Sequence, residues 1–273
     1  MDSSKTRTLG PRLIVGFSLG MVFLVSLLHP LAFTTWVAFA SLMALRELTR
    51  VLRFSGWSVP KIAPLASPAI IYSTYFFGTL GQWFSLLACV AALVVFRLLE
   101  LTVGKQFSSL KQMLRDFGAI GFQLVYVPLL ISYAVLLINK DNGTAWAFSL
   151  VITVVMIDSF GYLAGRFFGR TKLIPTISPK KTWEGFVASV IGGLLGGFLT
   201  GYLTSSSFWF GLLFAVAILL SSVLGDLSES LIKRDLNVKD MGDVLPGHGG
   251  FMDRLDSMLP SSFIAYLLSL AAF

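Results

Sequence analysis

Long stretches of this chain carry no charged side chain: residues 13–28 read LIVGFSLGMVFLVSLL and residues 83–96 read WFSLLACVAALVVF. A helix needs about 20 predominantly apolar residues to cross a bilayer, so runs of this kind restrict the chain to membrane-crossing helices. Composition agrees: 55% of the 273 residues are hydrophobic and mean hydropathy is +0.80, above the usual range of soluble domains. The fold class that follows is an all-α polytopic integral membrane protein.

Nine segments are long enough, or nearly so, to cross: 13–28, 31–46, 62–79, 82–101, 116–138, 144–165, 186–204, 207–226 and 258–273. The third is crowded at its start by Pro60, Pro64 and Pro68 and reads equally as a broken or re-entrant helix. The N-terminus, with Lys5, Arg7 and Arg12 before an apolar run, resembles a signal peptide. No small-residue cleavage site follows, so the run is read as a retained first span. The single cysteine, Cys89, lies inside a span and has no disulfide partner.

Charge tests the count independently. All of the 21 Lys and Arg except Lys140 fall before the first span or on the connections 2–3, 4–5, 6–7 and 8–9. The positive-inside rule then puts the N-terminus in the cytoplasm and the C-terminus outside. That rule also accounts for the net charge of +7 without a nucleic-acid partner. The outer connections 29–30, 80–81, 139–143 and 204–206 are too short for a domain. The chain divides into an N-terminal membrane part, 1–143, and a C-terminal catalytic part, 144–273, whose cytoplasmic loops are 166–185 and 227–257. In the seventh span, Gly192, Gly193, Gly196 and Gly197 form two overlapping GxxxG spacings, open to packing within the chain or to a homodimer face.

Residues 230–256, SLIKRDLNVKDMGDVLPGHGGFMDRLD, crowd four basic residues, five aspartates, a histidine and four glycines into one connection. Asp226 closes the preceding span, with Glu229 and Lys233 on the same helical face at i+3 and i+7. Asp253 and Asp256 stand at i, i+3 before the last span and point the same way if a helix starts at residue 250 or 251. Capping explains Asp253 alone but not the pair. Short oxygen ligands at two helix ends suit a hard cation such as Mg²⁺, whereas one buried Cys and two distant His exclude a zinc site. Lys233, Arg234 and Lys239 lie between the acidic pairs, followed by glycines that would let backbone N–H groups approach an anion. His248 is a ligand contact, a proton donor or a turn residue; spacing does not rank these. Asp158, inside the sixth span, fits a functional role and a snorkelling or paired role equally well. In the other loop, Ser178-Pro-Lys-Lys-Thr182 aligns hydroxyls and ammonium groups that suit phosphate oxygens.

These residues resemble a known signature. Ser230-x-x-Lys233-Arg234, Lys239-Asp240-x-Gly242 and Leu245-Pro246-x-His248-Gly249-Gly250-Phe251-x-Asp253-Arg254-x-Asp256 are similar to the phosphatidate cytidylyltransferase (CDP-diacylglycerol synthase) family, with no departure at a fixed position. Asp158, Gly165-Arg166, Gly169, and Ser178-Pro179-x-Lys181-Thr182-x-Glu184-Gly185 resemble it too. The resemblance implies that CTP and phosphatidic acid give CDP-diacylglycerol and pyrophosphate with Mg²⁺, and with a second, monovalent cation such as K⁺. It implies Asp226, Asp253 and Asp256 as metal ligands, and Lys233, Arg234, Lys239, Asp240, His248 and Arg254 as further catalytic residues. Substrate contacts would come from Asp158, Arg166, Ser178, Lys181, Thr182, Glu184, Gly249 and Gly250. It also implies a bacterial-type inner membrane with the site on the cytoplasmic side. The rivals are a CDP-archaeol synthase or polyprenol kinase type of enzyme and, more distantly, a secondary transporter. No inverted repeat of the transporter kind is present.

Overall fold

The computed structural model describes residues 18, 20–103, 109–244 and 249–272. Two compact units share the chain: Met1–Val135 with Val238–Arg254, and Leu136–Asn237 with Leu255–Phe273. The boundary read at 143/144 thus lies near 135/136, and part of the charged 227–257 connection folds with the first unit.

In the first unit, α1 runs Pro30–Phe54, with Pro30 at the start where a missing N–H costs nothing and His29 Nδ1 accepting the Leu31 N–H at 3.1 Å. Two of the three prolines find compatible places: a single 3₁₀ turn, Ala63–Leu65, includes Pro64, and Pro68 sits in the first turn of α2, Ala66–Val103. At about 1.5 Å per residue this helix would be nearly twice the thickness of a hydrocarbon core. It is interrupted at Gly78, whose φ of 62° and ψ of −145° lie outside helical space. Across that break the Ser73 hydroxyl donates to the Gly81 carbonyl at 3.0 Å, which residues eight apart in one continuous helix, about 12 Å apart, would not allow. Two helices therefore meet at Gly78, close to the connection expected at 80–81.

α3, Leu110–Leu124, continues through a π turn, Val125–Leu129, into α4, Leu130–Ile138. Pro128 has no N–H and crowds the carbonyl one turn back, which accounts for the widened turn. Polar pairs join these helices inside the apolar phase: Ser67 to Ser41 at 2.6 Å, Thr49 to Gln123 at 2.9 Å and Gln82 to Ser132 at 2.7 Å. Near the charged ends of the helices, buried Arg97 pairs with buried Asp116 at 3.2 Å, and Asp116 also accepts the Ser58 N–H at 3.0 Å. Arg97, read as a loop cation, is a helix-to-helix fastener.

The second unit contains α5, Gly143–Phe167; a hairpin of β1, Lys172–Ile174, and β2, Ser178–Thr182; α6, Trp183–Leu203; and α7, Phe208–Asp235. The strands are antiparallel, with Lys172 opposite Thr182 and Ile174 opposite Ser178. The α6 glycines are used within the chain: a Cβ at Gly192 would stand 2.6 Å from the Met156 carbonyl and one at Gly196 2.7 Å from Thr153 Oγ1, while Gly197 meets the Gly211 carbonyl of α7. Two glycine stripes thus seat α6 between α5 and α7.

α8, Met252–Leu255, is the short helix through which the chain passes from the first unit to the second. It ends before Asp256, so the shared-face argument for Asp253 and Asp256 does not hold. α9, Met258–Leu270, follows; its 13 residues fall short of a full crossing. Among the described residues, six helices are long and apolar enough to cross a membrane, counting the run Ala63–Val103 once. Of the first expected span, 13–28, residues 18 and 20–28 are described, and 20–26 are helical. At one end of the second unit, Lys140 Nζ bonds the Ser269 carbonyl at 2.6 Å and Asn142 Nδ2 bonds the Leu203 carbonyl at 3.2 Å.

Candidate active site

The end of α7 gathers the chemistry of the second unit. Gly225 has no side chain, and a Cβ there would overlap the Asp256 carbonyl, so the turn carrying Asp256 rests directly on α7 beside Asp226. Ser221 and Ser261 hydroxyls meet at 2.9 Å and tie α7 to α9. The hairpin delivers Lys181, whose Nζ lies 2.7 Å from Asp226 Oδ2. One turn along, Lys233 Nζ donates to buried Glu229 at 2.5 Å. Ser222 on α7 donates to Asp158 Oδ1 at 3.4 Å, and Ser230 to Asp226 Oδ1 at 3.4 Å.

Electrostatically this cluster is unbalanced. Asp158, Asp226, Glu229 and Asp256 are carboxylates, while Lys181 and Lys233 are the cations paired within it. Burial pushes the Asp256 carboxyl well above the usual range, and the nearby Glu229 and Asp226 push it further. The Ser257 N–H, 2.7 Å from Asp256 Oδ1, opposes that shift only partly. A hard divalent cation fits both the oxygen-only donors and the excess negative charge. Among the described residues, no three His, Cys, Asp or Glu side chains already stand in a ligating arrangement.

Other expected residues are engaged elsewhere. Thr182 is buried and caps α6, its Oγ1 accepting the Gly185 N–H at 3.2 Å. Glu184 is turned to the Thr171 N–H at 3.1 Å and holds the entry to the hairpin. Arg166 bonds the Tyr162 hydroxyl at 3.0 Å, and Arg234 Nε reaches the Ile177 carbonyl at 3.4 Å. Ser178 opens β2 at its pairing with Ile174.

Asp253 belongs to the first unit. Its carboxylate accepts the Gly250 N–H at 2.7 Å and the Met241 N–H at 3.2 Å, drawing the two ends of the glycine-bearing segment together. Glu47 of α1 accepts the next two N–H groups, from Phe251 at 3.1 Å and Met252 at 2.9 Å. The glycines expected to admit a ligand's anion admit this carboxylate instead: a Cβ at Gly242 or Gly250 would overlap Glu47. Gly250, expected to contact substrate, has its N–H on Asp253 in this structure. Gly249 keeps a positive φ of 82° that few other residues adopt. Lys239, Asp240 and Arg254 are exposed. His248 and its neighbours 245–247 lie outside the described residues.

Glu47 was missed because the second span was read as ending at residue 46. The available signal was an acid placed among Ala44, Leu45, Leu48 and Val51, all buried on one helical face.

A profile described as the cytidylyltransferase family matches residues 10–271. A phosphatidate cytidylyltransferase of Mycobacterium bovis is 38% identical over 270 residues, spanning 96% of this chain and 88% of the relative. The same-named protein of Mycobacterium tuberculosis is 38% identical over 96% of this chain and 82% of its own length. That of Mycobacterium leprae is 37% identical over 96% and 88%.

Proposed function

The chain belongs to the cytidylyltransferase family, and on that premise we propose that it transfers the cytidylyl group of CTP to phosphatidic acid, giving CDP-diacylglycerol and pyrophosphate. The observation that carries this is the family match over nearly the whole chain together with relatives of that activity at 38% identity. A phosphate monoester carries about −1.5 to −2 charge near neutral pH, its second pKa being about 6. The phosphatidate oxygen is already a nucleophile and needs no strong base. It forms a bond to the α-phosphorus of CTP as the bond to the β-phosphate oxygen breaks, and pyrophosphate carries away the released charge. The barrier is repulsion between two anions, which cations lower by neutralising and aligning them.

Lys181, Lys233, Arg234, Lys239 and Arg254 are assigned to the phosphates on the sequence pattern. Asp226 and Asp256 are assigned to Mg²⁺ on the donor chemistry above; Asp253 joins them on the sequence pattern alone. When bound there, Mg²⁺ would supply the positive charge that a triphosphate and four carboxylates together lack. Nine crossings, a cytoplasmic N-terminus and a site at the cytoplasmic face of a bacterial-type inner membrane complete the reading. In support, the 139–142 and 203–206 connections and Ser269 gather at one end of the second unit, as expected for outer segments. Purified protein given CTP radiolabelled in the cytidine or the α-phosphate, with phosphatidic acid and Mg²⁺, is expected to yield a labelled lipid and unlabelled pyrophosphate. A water-soluble labelled product alone, or substrate flux in proteoliposomes without nucleotide chemistry, overturns the proposal.

A further inference from the structure

Glu47 is a strange residue to bury. It lies within α1 at 5% exposure, and a carboxylate in such surroundings is strongly unfavourable unless its oxygens are satisfied. Both oxygens are satisfied by main-chain donors more than 200 residues away, Phe251 N and Met252 N, the N–H groups that open α8. Such N–H groups have no partner within the helix they open. Around this contact the chain is fitted closely. Gly242 and Gly250 press their backbones against the carboxylate, where any Cβ would overlap it. The Phe251 ring stands edge-on to Phe39 of α1 at 5.6 Å. Immediately after the two gripped amides comes Asp253, which in turn binds Gly250 N and Met241 N.

A grip on two consecutive amides fixes position and direction together, which one hydrogen bond does not. An apolar residue at position 47 could fill the space, but it would leave Phe251 and Met252 N–H groups buried and unpaired. The arrangement resembles the outer-shell contacts that hold metal-binding side chains in register.

We propose that Glu47 is a positioning residue for the transfer reaction: by gripping the Phe251 and Met252 amides it sets where the Asp253 carboxylate stands, and thereby the cation affinity of the site. Glu47 of α1 then acts on the reaction through Asp253 of the same unit. This rests on the assignment of Asp253 to the cation in the preceding section.

The test compares Glu47→Gln, Glu47→Ala and Asp253→Asn with the unaltered full chain in detergent. Mg²⁺ is titrated without CTP, reading thermal stabilisation, and hydrogen exchange is followed at residues 249–255. Outer-shell changes typically weaken metal binding by about 10-fold or more, so Glu47→Ala is expected to raise the Mg²⁺ concentration for half-maximal stabilisation by about that factor. Glu47→Gln keeps one acceptor oxygen and, losing about one hydrogen bond, is expected to shift it about 3-fold. Exchange at Phe251 and Met252 should quicken in both. If Glu47→Ala does not fold, Glu47→Gln alone decides the matter. Lost thermal stability with an unmoved Mg²⁺ midpoint in Glu47→Gln overturns the inference, provided Asp253→Asn shifts that midpoint. An unmoved midpoint in Asp253→Asn overturns the assignment of Asp253 itself, and this inference with it.

Discussion

The two units treat their buried acids in opposite ways. In the first, Glu47 and Asp253 each meet two backbone N–H groups, and Asp116 meets Arg97 and the Ser58 amide. In the second, Asp158, Asp226, Glu229 and Asp256 crowd together, and their charges raise the Asp256 carboxyl instead of relieving it. An acid answered by donors of the protein is fixed in place, whether it then serves the fold, as Asp116 does, or is assigned to the cation, as Asp253 is. Acids that repel one another are unfinished without a cation. In the bare sequence both kinds look alike: single acids at the edges of apolar runs.

That contrast can be broken experimentally, and the largest effect belongs to the unbalanced cluster. Asp256→Ala or Asp226→Ala should lower CTP-dependent turnover by about 100-fold or more at limiting Mg²⁺, because metal neutralisation contributes several kcal/mol. Near-normal turnover in either variant would move the cation site elsewhere. Arg97→Met should do the reverse, removing the partner of a buried charge. Stability should fall by about 3–5 kcal/mol in thermal unfolding, while the Mg²⁺ midpoint of the remaining folded protein stays put. A shifted midpoint would mean that the structural and catalytic acids are not separable.

Glycine substitutions probe both units by the same means. Gly250→Ala forces a Cβ into Glu47 and Gly225→Ala forces one into the Asp256 carbonyl. Each should destabilise by about 1–3 kcal/mol through overpacking, and unfolding curves that superimpose on the parent would show that the backbone yields freely. The smallest effect is a pH slope. Because the Asp256 carboxyl is raised in the folded state, folding binds a proton there more tightly than the unfolded chain does. Metal-free stability should therefore decline as pH climbs from the ordinary carboxylate value of about 3.8 through the raised folded value. Asp256→Asn should flatten that decline, as should added Mg²⁺; an unchanged slope in Asp256→Asn would locate the proton on another group.

Much of the fold was legible because helices in hydrocarbon must be apolar and long. The runs at 31–46, 144–165, 186–204 and 207–226 match observed helices, the third and fourth overrunning by one residue each. The third and fourth runs answer to two helices that meet at Gly78, two residues before the connection read at 80–81. The hairpin at 172–182 was read as basic loop because its strands are short and charged, so no period stood out. Lys181 was named for phosphate; its ion pair with Asp226 depends on that hairpin folding back toward α7.

What the sequence determined by itself was the solvent and the chemistry: apolar runs dictate a bilayer, and the charged connection after α7, with its matching partner before α6, points to cytidylyl transfer. What only the tertiary structure decided was which acid does which task. Glu47 and the amides it grips are separated by over 200 residues, and neither neighbourhood alone reveals the other. The glycines beside those amides seemed made for a ligand until the chain's own carboxylate was found against them. Hydrogen bonding and desolvation depend on distance in space, and periodicity along a chain carries no record of that distance.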